Sequence, residues 1–466
     1  MRDEAIAGGV APSSLAGRLL QAVEAGVDAD SGAFDRLALE VFAHQYGTNA
    51  AYREFCDASG ASPAGVGSWR DIPAYPTDAF KHSIVASFPF EDAVMAQLTS
   101  GTTSPNQRGR IFRDEAGRAL VFAANRVMTG ACLFPDFERG RRCRILILAP
   151  GPDTVPSMGM AIGMEETRRH FGTPDSAFLV DRRGVRVKAL VSALRTAEES
   201  GAPVALIGAT SAFVYFLKAA RRRRMRFGLP PESRVCDGGG YRGRFGEVPR
   251  DDYHQLVEDV LGVPERMCVN VLGLAESATN YFDDTLRNHV LGRPRTPRRK
   301  VPPPWTRTDV VSAETGEVLP PGEVGLLRHF DLANLPTVIA VQSDNLGAID
   351  GRGGFEIVGR AKVVGGKVSP LPSDVPVGPM GDRRVFRLLE AYVNFSIDFG
   401  MGRVRSDAAK ANELELRTGD DAAPSCPLVV DDLVAGTDDA TARERARRAL
   451  EPGRGEGSPK GQTPLR

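Results

Sequence analysis

One short segment carries the residues best suited to bind phosphate. Residues 98–113 read L-T-S-G-T-T-S-P-N-Q-R-G-R-I-F-R. A glycine lets the backbone approach a ligand closely, while hydroxyls and successive N–H groups suit phosphate oxygens. The candidate phosphate-binding residues are Thr99, Ser100, Gly101, Thr102 and Thr103. A Ser/Thr/Gly surface turn has the same composition, so composition alone leaves both interpretations open.

The flanks of this segment predict a hairpin. Apolar residues 94–98 precede it and residues 110–112 follow it, so two short strands are expected to meet with the segment as their exposed tip. A P-loop elsewhere in the chain is a worse candidate. Gly366 and Lys367 are followed by Val368 and by no helix signal.

A glycine cluster follows another predicted strand, at residues 234–236. Gly238, Gly239 and Gly240 let a second group lie flat against the backbone, and Tyr241 comes next. Ligands of open α/β sheets bind at such strand ends. An ordinary Gly-rich turn is the alternative.

Two acidic residues also follow predicted strands. Glu276 comes after Gly273 and the strand at residues 267–272, where we expect a surface cleft. One carboxylate is enough for Mg²⁺ when phosphate oxygens and water supply the other ligands. Asp344 follows a strand expected at residues 338–341. The alternatives are a solvated cap for Glu276 and a turn cap for Asp344.

Bulk properties limit the classes of protein. The chain has 466 residues, 42% of them hydrophobic, with 59 basic and 59 acidic side chains. This predicts two or three domains and no global attraction to nucleic acid. The six cysteines lack the paired spacing of a disulfide framework or a zinc site. Since the N-terminus is acidic and no apolar run reaches the roughly 18 residues of a membrane span, we expect a cytoplasmic protein.

The order of elements predicts an α/β fold. Residues 1–70 have helical apolar spacing, and Asp114 is placed to cap a long helix. Apolar strands at residues 144–149, 204–207 and 234–236 alternate with helices at 189–199 and 211–226, as in a sheet covered by helices. Residues 221–224 are four arginines, which we interpret as a solvated helix end and not as an RNA site.

The segment S-G-T-T at residues 100–103 resembles the phosphate-binding loop of the adenylate-forming (ANL) superfamily, whose members activate carboxylic acids with ATP. The branch of acyl-protein synthetases and phenylacetate-CoA ligase-like enzymes is the most similar. The I-P…F-K pattern of residues 72–81 and the Gly-Gly-Gly-aromatic run of residues 238–241 carry that likeness. Gly359-Arg360, followed shortly by G-K-V-S-P at residues 366–370, resembles the superfamily's domain hinge.

The resemblance implies a role for each motif. Residues 99–103 would cradle the phosphates. The superfamily loop usually continues with Gly and ends on Lys, whereas this chain has Ser104 and then P-N-Q-R, so the cation that meets the phosphates is an open question. The other implied roles are adenine contact for Gly239, Gly240 and Tyr241, magnesium binding for Glu276 beside Gly273, ribose contact for Asp344 and Arg360, the hinge pivot for Lys362, and the adenylation lysine for Lys460.

The resemblance also implies a domain plan. We expect a large N-terminal adenylation domain with helix-covered β-sheets, and a small α+β C-terminal domain on a hinge. The expected bounds are a helical cap at residues 1–70, an ATP-binding core at 71–360 and a mobile domain at 361–466.

The implied activity is ATP- and Mg²⁺-dependent activation of a small carboxylic acid as an acyl-adenylate. The acyl group would then pass to a thiol of CoA, of a carrier protein or of a protein cysteine. One alternative is an acyl-protein synthetase that acylates itself on Cys426. An alternative of another class is a non-catalytic descendant that binds nucleotide or a partner, because Leu272 and Ala275 replace the superfamily's Tyr and Thr.

Overall fold

The fold is known from a computed structural model that describes residues 10–99, 109–181, 184–240, 242–243, 246–313, 315–364 and 367–370. The α-helices are α1 (Leu15–Glu24), α2 (Phe34–Thr48), α3 (Ala50–Ala58), α4 (Glu115–Cys132), α5 (Gly159–Phe171), α6 (Val187–Ser200), α7 (Thr210–Arg222), α8 (Arg250–Leu261) and α9 (Thr285–Val290). Short 3-10 turns lie at Trp69–Asp71, Thr77–Lys81, Phe90–Asp92 and Glu265–Met267.

The strands form two sheets and two hairpins. They are β1 (Tyr75–Pro76), β2 (Met95–Leu98), β3 (Arg110–Arg113), β4 (Arg144–Pro150), β5 (Ala177–Asp181), β6 (Gly184–Val185), β7 (Val204–Ala209), β8 (Arg234–Gly238), β9 (Arg242–Gly243), β10 (Gly246–Glu247), β11 (Cys268–Leu272), β12 (Tyr281–Phe282), β13 (Thr306–Val311), β14 (Gly325–Asp331), β15 (Ala340–Ile349), β16 (Phe355–Val364) and β17 (Lys367–Pro370).

A seven-stranded sheet has the order β12-β11-β8-β7-β4-β5-β6. Its five middle strands run parallel, and β12 and β6 pair antiparallel at the edges. The middle strands are buried along most of their length, as expected for parallel strands covered on both faces. Gly208 is required where β7 passes β4, because a Cβ there would lie 2.7 Å from the Cβ of Leu148. The strands at 144–149, 204–207 and 234–236 are therefore confirmed.

The second sheet is mainly antiparallel, with the order β13-β14-β15-β16-β17 and β1 parallel to β15. One sequence expectation is corrected here. The strand expected at residues 338–341 begins at Ala340 and runs to Ile349, so Asp344 lies inside a strand and not in a turn after it. Strand β16 runs through Arg360 and Lys362, and Lys362 pairs with Ser369 of β17.

The N-terminal helices pack into the same hydrophobic core as the seven-stranded sheet. Helix α1 begins at the Ser14 side chain, which accepts a hydrogen bond from the Gly17 N–H at 3.0 Å. Gln45 of α2 donates to the carbonyl oxygens of Asn334 and Leu335 at 3.0 and 3.1 Å. The helices thus hold the segment between β14 and β15 in place. Helices within residues 1–70 match the sequence expectation, and the domain bounds stay a prediction.

The expected cap of the long helix is confirmed. The Asp114 side chain accepts a hydrogen bond from the Gly117 N–H at 2.8 Å, and α4 follows it directly. A Cβ on Gly117 would lie 2.5 Å from Cγ of Pro336, so this helix end packs closely on the same β14–β15 segment.

Candidate functional site

The expected hairpin forms between β2 and β3, which pair from Met95–Arg113 to Leu98–Arg110. Beyond it, the Thr99 N–H donates to the Gly109 carbonyl at 3.0 Å, and the Gly109 N–H donates to Thr99 Oγ1 at 2.9 Å. These bonds close the base of the candidate phosphate loop. Ser100, Gly101, Thr102 and Thr103 lie outside the described residues, so their phosphate role stays a prediction.

Arg113, at the end of β3, links this hairpin to the segment around Glu276. Its guanidinium is completely buried and donates to Gln97 Oε1 and to the carbonyl oxygens of Ala275 and Ser277, the last two at 3.2 and 3.1 Å. Burial lowers the pKa of Arg113 to about 10, so it remains charged near neutral pH. One side chain therefore holds both residues that flank Glu276.

Asp331 and Asn334 hold the same segment from the other side. Asp331 Oδ2 accepts from Ser277 Oγ at 2.8 Å and from the Thr279 N–H at 2.7 Å, and Asp331 Oδ1 accepts from Thr279 Oγ1 at 3.0 Å. Asn334 Nδ2 donates to the Glu276 carbonyl at 2.8 Å. The backbone on both sides of Glu276 is thus fixed by buried hydrogen bonds, which favours a precisely placed side chain.

Glu276 is buried, with 7% of its surface exposed, and this corrects the expected surface cleft. Burial, with a smaller contribution from the Asp344 carboxylate, raises the pKa of Glu276 to about 7. The cations of Arg360 and Lys81 act in the opposite direction. Two acids and two cations from four separate segments therefore interact at this point, and three of them are candidates from the sequence.

Lys81 was not predicted as a site residue. It ends the 3-10 turn at Thr77–Lys81, its side chain is 10% exposed, and its Nζ lies 2.6 Å from Asp78 Oδ1. The preceding Phe80 packs under the loop base, because a Cβ on Gly109 would be 3.2 Å from Phe80 Cβ. Lys81 thus follows a residue that packs against the phosphate-loop base, and its charge acts on Glu276. Its signal in the sequence was the I-P…F-K pattern of residues 72–81.

The glycine cluster lies where β8 ends, as predicted. Gly238 pairs with Val271 of β11, and the exposed Gly239 has a φ of +115°. Asn270 Nδ2 donates to the Gly239 carbonyl at 3.2 Å and to Asp237 Oδ2 at 2.9 Å. Among the described residues, nothing lies within 4 Å of a Cβ built on Gly240. Tyr241 lies outside the described residues.

Strand β11 connects the two halves of the site. Asn270 in this strand contacts the glycine cluster, and Glu276 follows the strand's end at Leu272. The exposed Gly273 lies between them. Its lack of a side chain lets Asn280 approach the backbone closely, because a Cβ on Gly273 would be 2.7 Å from Asn280 Oδ1. The glycine cluster and Glu276 thus meet at the carboxyl edge of the parallel strands, where open α/β sheets bind ligands.

The structure does not describe the side chains of the two proposed catalytic lysines, Lys362 and Lys460. The backbone of Lys362 lies in β16 opposite Ser369, so it is part of a paired strand, and its hinge role stays a prediction. Lys460, Cys426 and almost all of residues 361–466 lie outside the described part of the chain.

The described residues give no sign of a metal site built by protein alone. Within them, no cluster of three or more His, Cys, Asp or Glu side chains could hold an ion. Among the described helices, none has the length and apolar character needed to cross a membrane.

The model of the acyl-protein synthetase family, LuxE, matches residues 19–367, about three quarters of the chain. This chain belongs to that family. A "Long-chain-fatty-acid--luciferin-component ligase" of Vibrio harveyi is 24% identical over 345 residues, covering 71% of this chain and 85% of the relative. The protein of the same name in Aliivibrio fischeri is 23% identical, covering 68% and 79%.

Solved structures of the adenylate-forming fold are also similar. One is 2-hydroxyisobutyryl-CoA ligase in the postadenylation state with 2-HIB-AMP, with a TM-score of 0.51, 15% identity, and coverage of 75% of this chain and 73% of that one. The same ligase with 2-HIB-AMP and CoA in the thioesterification state has a TM-score of 0.52, 15% identity, and coverage of 75% and 72%. At 15% identity these structures show a similar fold only, and this similarity confirms the expected α/β class.

The burial of Glu276 predicts a pH-dependent cost to stability. Its pKa rises from an ordinary 4.5 to about 7 on folding, so the folded state resists ionisation and loses stability as pH rises from 4.5 to 7. Glu276→Gln removes this cost. It should raise the free energy of unfolding by up to about 3 kcal/mol at pH 8, but by less than about 1 kcal/mol at pH 5.

Urea unfolding at both pH values measures this difference. Glu323→Gln, at an exposed position, serves as the matched control and should give equal changes at pH 5 and pH 8. Equal changes for Glu276→Gln as well would mean that Glu276 is not buried in the folded protein.

Proposed function

We propose that this protein activates a carboxylic acid with MgATP and transfers the acyl group to a thiol. A carboxylate oxygen attacks the α-phosphorus of ATP, the bond to the bridging oxygen breaks, and pyrophosphate leaves. The acceptor sulfur then attacks the acyl carbon, loses its proton, and displaces AMP. Positioning and charge neutralisation provide most of the catalysis in the first step, so no catalytic triad is needed.

The observation that carries this proposal is the shared environment of Glu276, Asp344 and Arg360. The Asp344 and Arg360 charges act on the Glu276 carboxyl although the three residues come from different segments. The sequence motifs assign Glu276 to the metal and Asp344 and Arg360 to the ribose. The base of the phosphate loop reaches the same point through Arg113. Membership of the acyl-protein synthetase family also supports the proposal.

Glu276 fits the magnesium on ATP. Its carboxylate is a hard oxygen ligand, and the repulsion from Asp344 is the kind that a bound cation relieves. When bound, the ion would offset phosphate charge. The chain's own contribution is to hold the carboxylate still through the backbone bonds from Arg113, Asp331 and Asn334.

Lys81 is our candidate for the cation that meets the phosphates. The loop of this chain has no lysine at residues 104–108. Lys81 follows Phe80, which packs against the loop base, and the charge of Lys81 acts on Glu276. A single ammonium with three donors can bind phosphate oxygens as a point charge.

The relatives favour a fatty acid as the substrate and a protein as the acceptor. Two of them are named as ligases that join a long-chain fatty acid to a luciferin component. The described cysteines make poor acceptors. Burial raises the thiol pKa to about 11 in Cys56 and Cys143 and to about 12 in Cys132, and it also raises the pKa of Cys236 and Cys268.

Because these five thiols are poor acceptors, the sixth cysteine, Cys426, is the better candidate. The second candidate function is therefore self-acylation at Cys426 before transfer to another molecule.

Fatty-acid-dependent ATP–pyrophosphate exchange tests the first half-reaction. Glu276→Gln should lower the exchange rate by roughly 100-fold or more, because the metal ligand is lost at the transition state. Asp344→Ala removes a ground-state contact to ribose, so it should raise the KM for ATP more than it lowers kcat. Exchange at the wild-type rate in Glu276→Gln, or an unchanged KM in Asp344→Ala, would remove that residue from the site.

Lys81→Met should lower the exchange rate by at least about tenfold, since a preorganised cation near the phosphates is lost. Asp78→Asn is the matched control, because it removes the exposed ion-pair partner and keeps the lysine. We expect this control to stay within about twofold of wild type, as exposed pairs add little energy. Equal losses in both variants would show that only the ion pair matters.

Cys426→Ser tests self-acylation. With ATP and a radiolabelled fatty acid, the wild type should retain hydroxylamine-sensitive label, and the variant should not. Pyrophosphate exchange should be the same in both, because the adenylate forms before the thiol acts. Cys56→Ser, at a buried position, is the control and should keep the label. Label that persists in Cys426→Ser would disprove this route.

A further inference from the structure

A buried lysine lies behind the glycine cluster. Lys300 is 8% exposed, and its backbone N–H donates to the Phe355 carbonyl at 2.7 Å, which fixes it against β16. Its Nζ donates to the Asn270 carbonyl at 2.5 Å and to Asn270 Oδ1 at 2.6 Å. A buried ammonium is costly unless it serves several acceptors, so this side chain has a specific task.

Lys300 determines which way the Asn270 amide faces. An ammonium group can only donate, so the oxygen of the amide must face Lys300 and its NH₂ must face away. The NH₂ then lies 2.9 Å from Asp237 Oδ2 and 3.2 Å from the carbonyl oxygens of Asp237 and Gly239. Thr210 Oγ1 also donates to Asp237 Oδ2, at 2.7 Å. A flipped amide would place its oxygen against the Asp237 and Gly239 oxygens and its NH₂ group against the Lys300 ammonium.

The Gly239 carbonyl depends on this arrangement. Gly239 has a φ of +115°, is exposed, and comes directly after the last ladder pair of β8, Gly238–Val271. A glycine outside a ladder has much conformational freedom. The hydrogen bond from Asn270 Nδ2 restrains its carbonyl orientation, and Lys300 holds the donor in place.

We propose that Lys300 is a positioning residue for nucleobase selection, acting through Asn270 on the Gly239–Gly240 backbone. The inference rests on the proposed function and on the adenine contact that the family resemblance implies for this backbone. A fixed edge of carbonyl oxygens accepts a hydrogen bond from the exocyclic amine of adenine and repels the carbonyl that hypoxanthine has at that place. Without Lys300, the edge loses its fixed orientation and this discrimination weakens.

The test compares ATP with ITP in acid-dependent pyrophosphate exchange. Lys300→Met keeps the side-chain length and removes the donor. We expect the KM for ATP to rise by about tenfold, with little change for ITP, so the preference for ATP falls by about tenfold. The kcat at saturating ATP should change by less than about threefold, because Lys300 touches no reacting atom. Lys300→Arg keeps a donor and should restore part of the preference.

Two further variants keep the inference testable if Lys300→Met unfolds. Asn270→Asp retains the size but cannot donate to Gly239, so it should lose the same preference. Lys188→Met, at an exposed position of α6, is the matched control and should behave as wild type.

The outcomes separate this inference from the proposed function. An active wild type, together with an unchanged ATP-to-ITP preference in folded Lys300→Met and Asn270→Asp, would overturn the role of Lys300 and leave the ligase function standing. A folded wild type without acid-dependent exchange would overturn the proposed function and this inference with it. A parallel loss of activity with both nucleotides would reduce Lys300 to a structural role.

Discussion

The structure of the site depends on the buried guanidinium of Arg113. It joins the end of a short hairpin to the two carbonyl groups that flank Glu276. A buried charge costs several kcal/mol unless its donors are satisfied. Arg113 offsets part of that cost through bonds from its two terminal nitrogens to a side-chain amide oxygen and two backbone oxygens, while its Nε has no hydrogen-bond partner among the described residues. The loop base and the candidate metal ligand therefore cannot move independently. A ligand that binds to one of them and fixes its position would therefore also fix the position of the other.

The same constraint gives the N-terminal helices a part in the site. Gln45 and Asn49 bond to the segment between β14 and β15, through the Asn334, Leu335 and Thr337 carbonyl oxygens. Asn334 in turn donates to the Glu276 carbonyl. A path of direct hydrogen bonds thus runs from α2 to the candidate metal ligand, and a loss of helix packing would disturb the site without a change in any site residue.

The sequence was sufficient for the parallel sheet because its strands are short apolar runs bounded by glycine and by helix signals. It was not sufficient for β15. The polar run from Gln342 to Asn345 has the composition of a turn. In the fold these residues alternate between the two faces, and the buried Ser343 donates to the Leu327 carbonyl at 2.8 Å. That bond forms opposite an irregularity in β14, which no local pattern could predict. The position of Asp344 in a strand follows from it.

The sequence also did not predict the hydrogen-bond partners of the buried cations. These partners explain why the acidic side chains of the site are not bound by the cations. Arg113 and Lys300 serve opposite halves of the site, and both donate to carbonyl and amide oxygens. A cation that bonded Glu276 or Asp237 directly would hold the backbone no better, and it would compete with a ligand for the carboxylate. By binding neutral oxygens, these cations fix the loops and still contribute a favourable potential at a distance. Asp331 shows the complementary solution, since its carboxylate accepts from hydroxyls and backbone N–H groups. The rigid parts of the site are thus built from charge–dipole bonds, which leaves the Glu276 and Asp344 carboxylates available for the proposed contacts with metal and ribose.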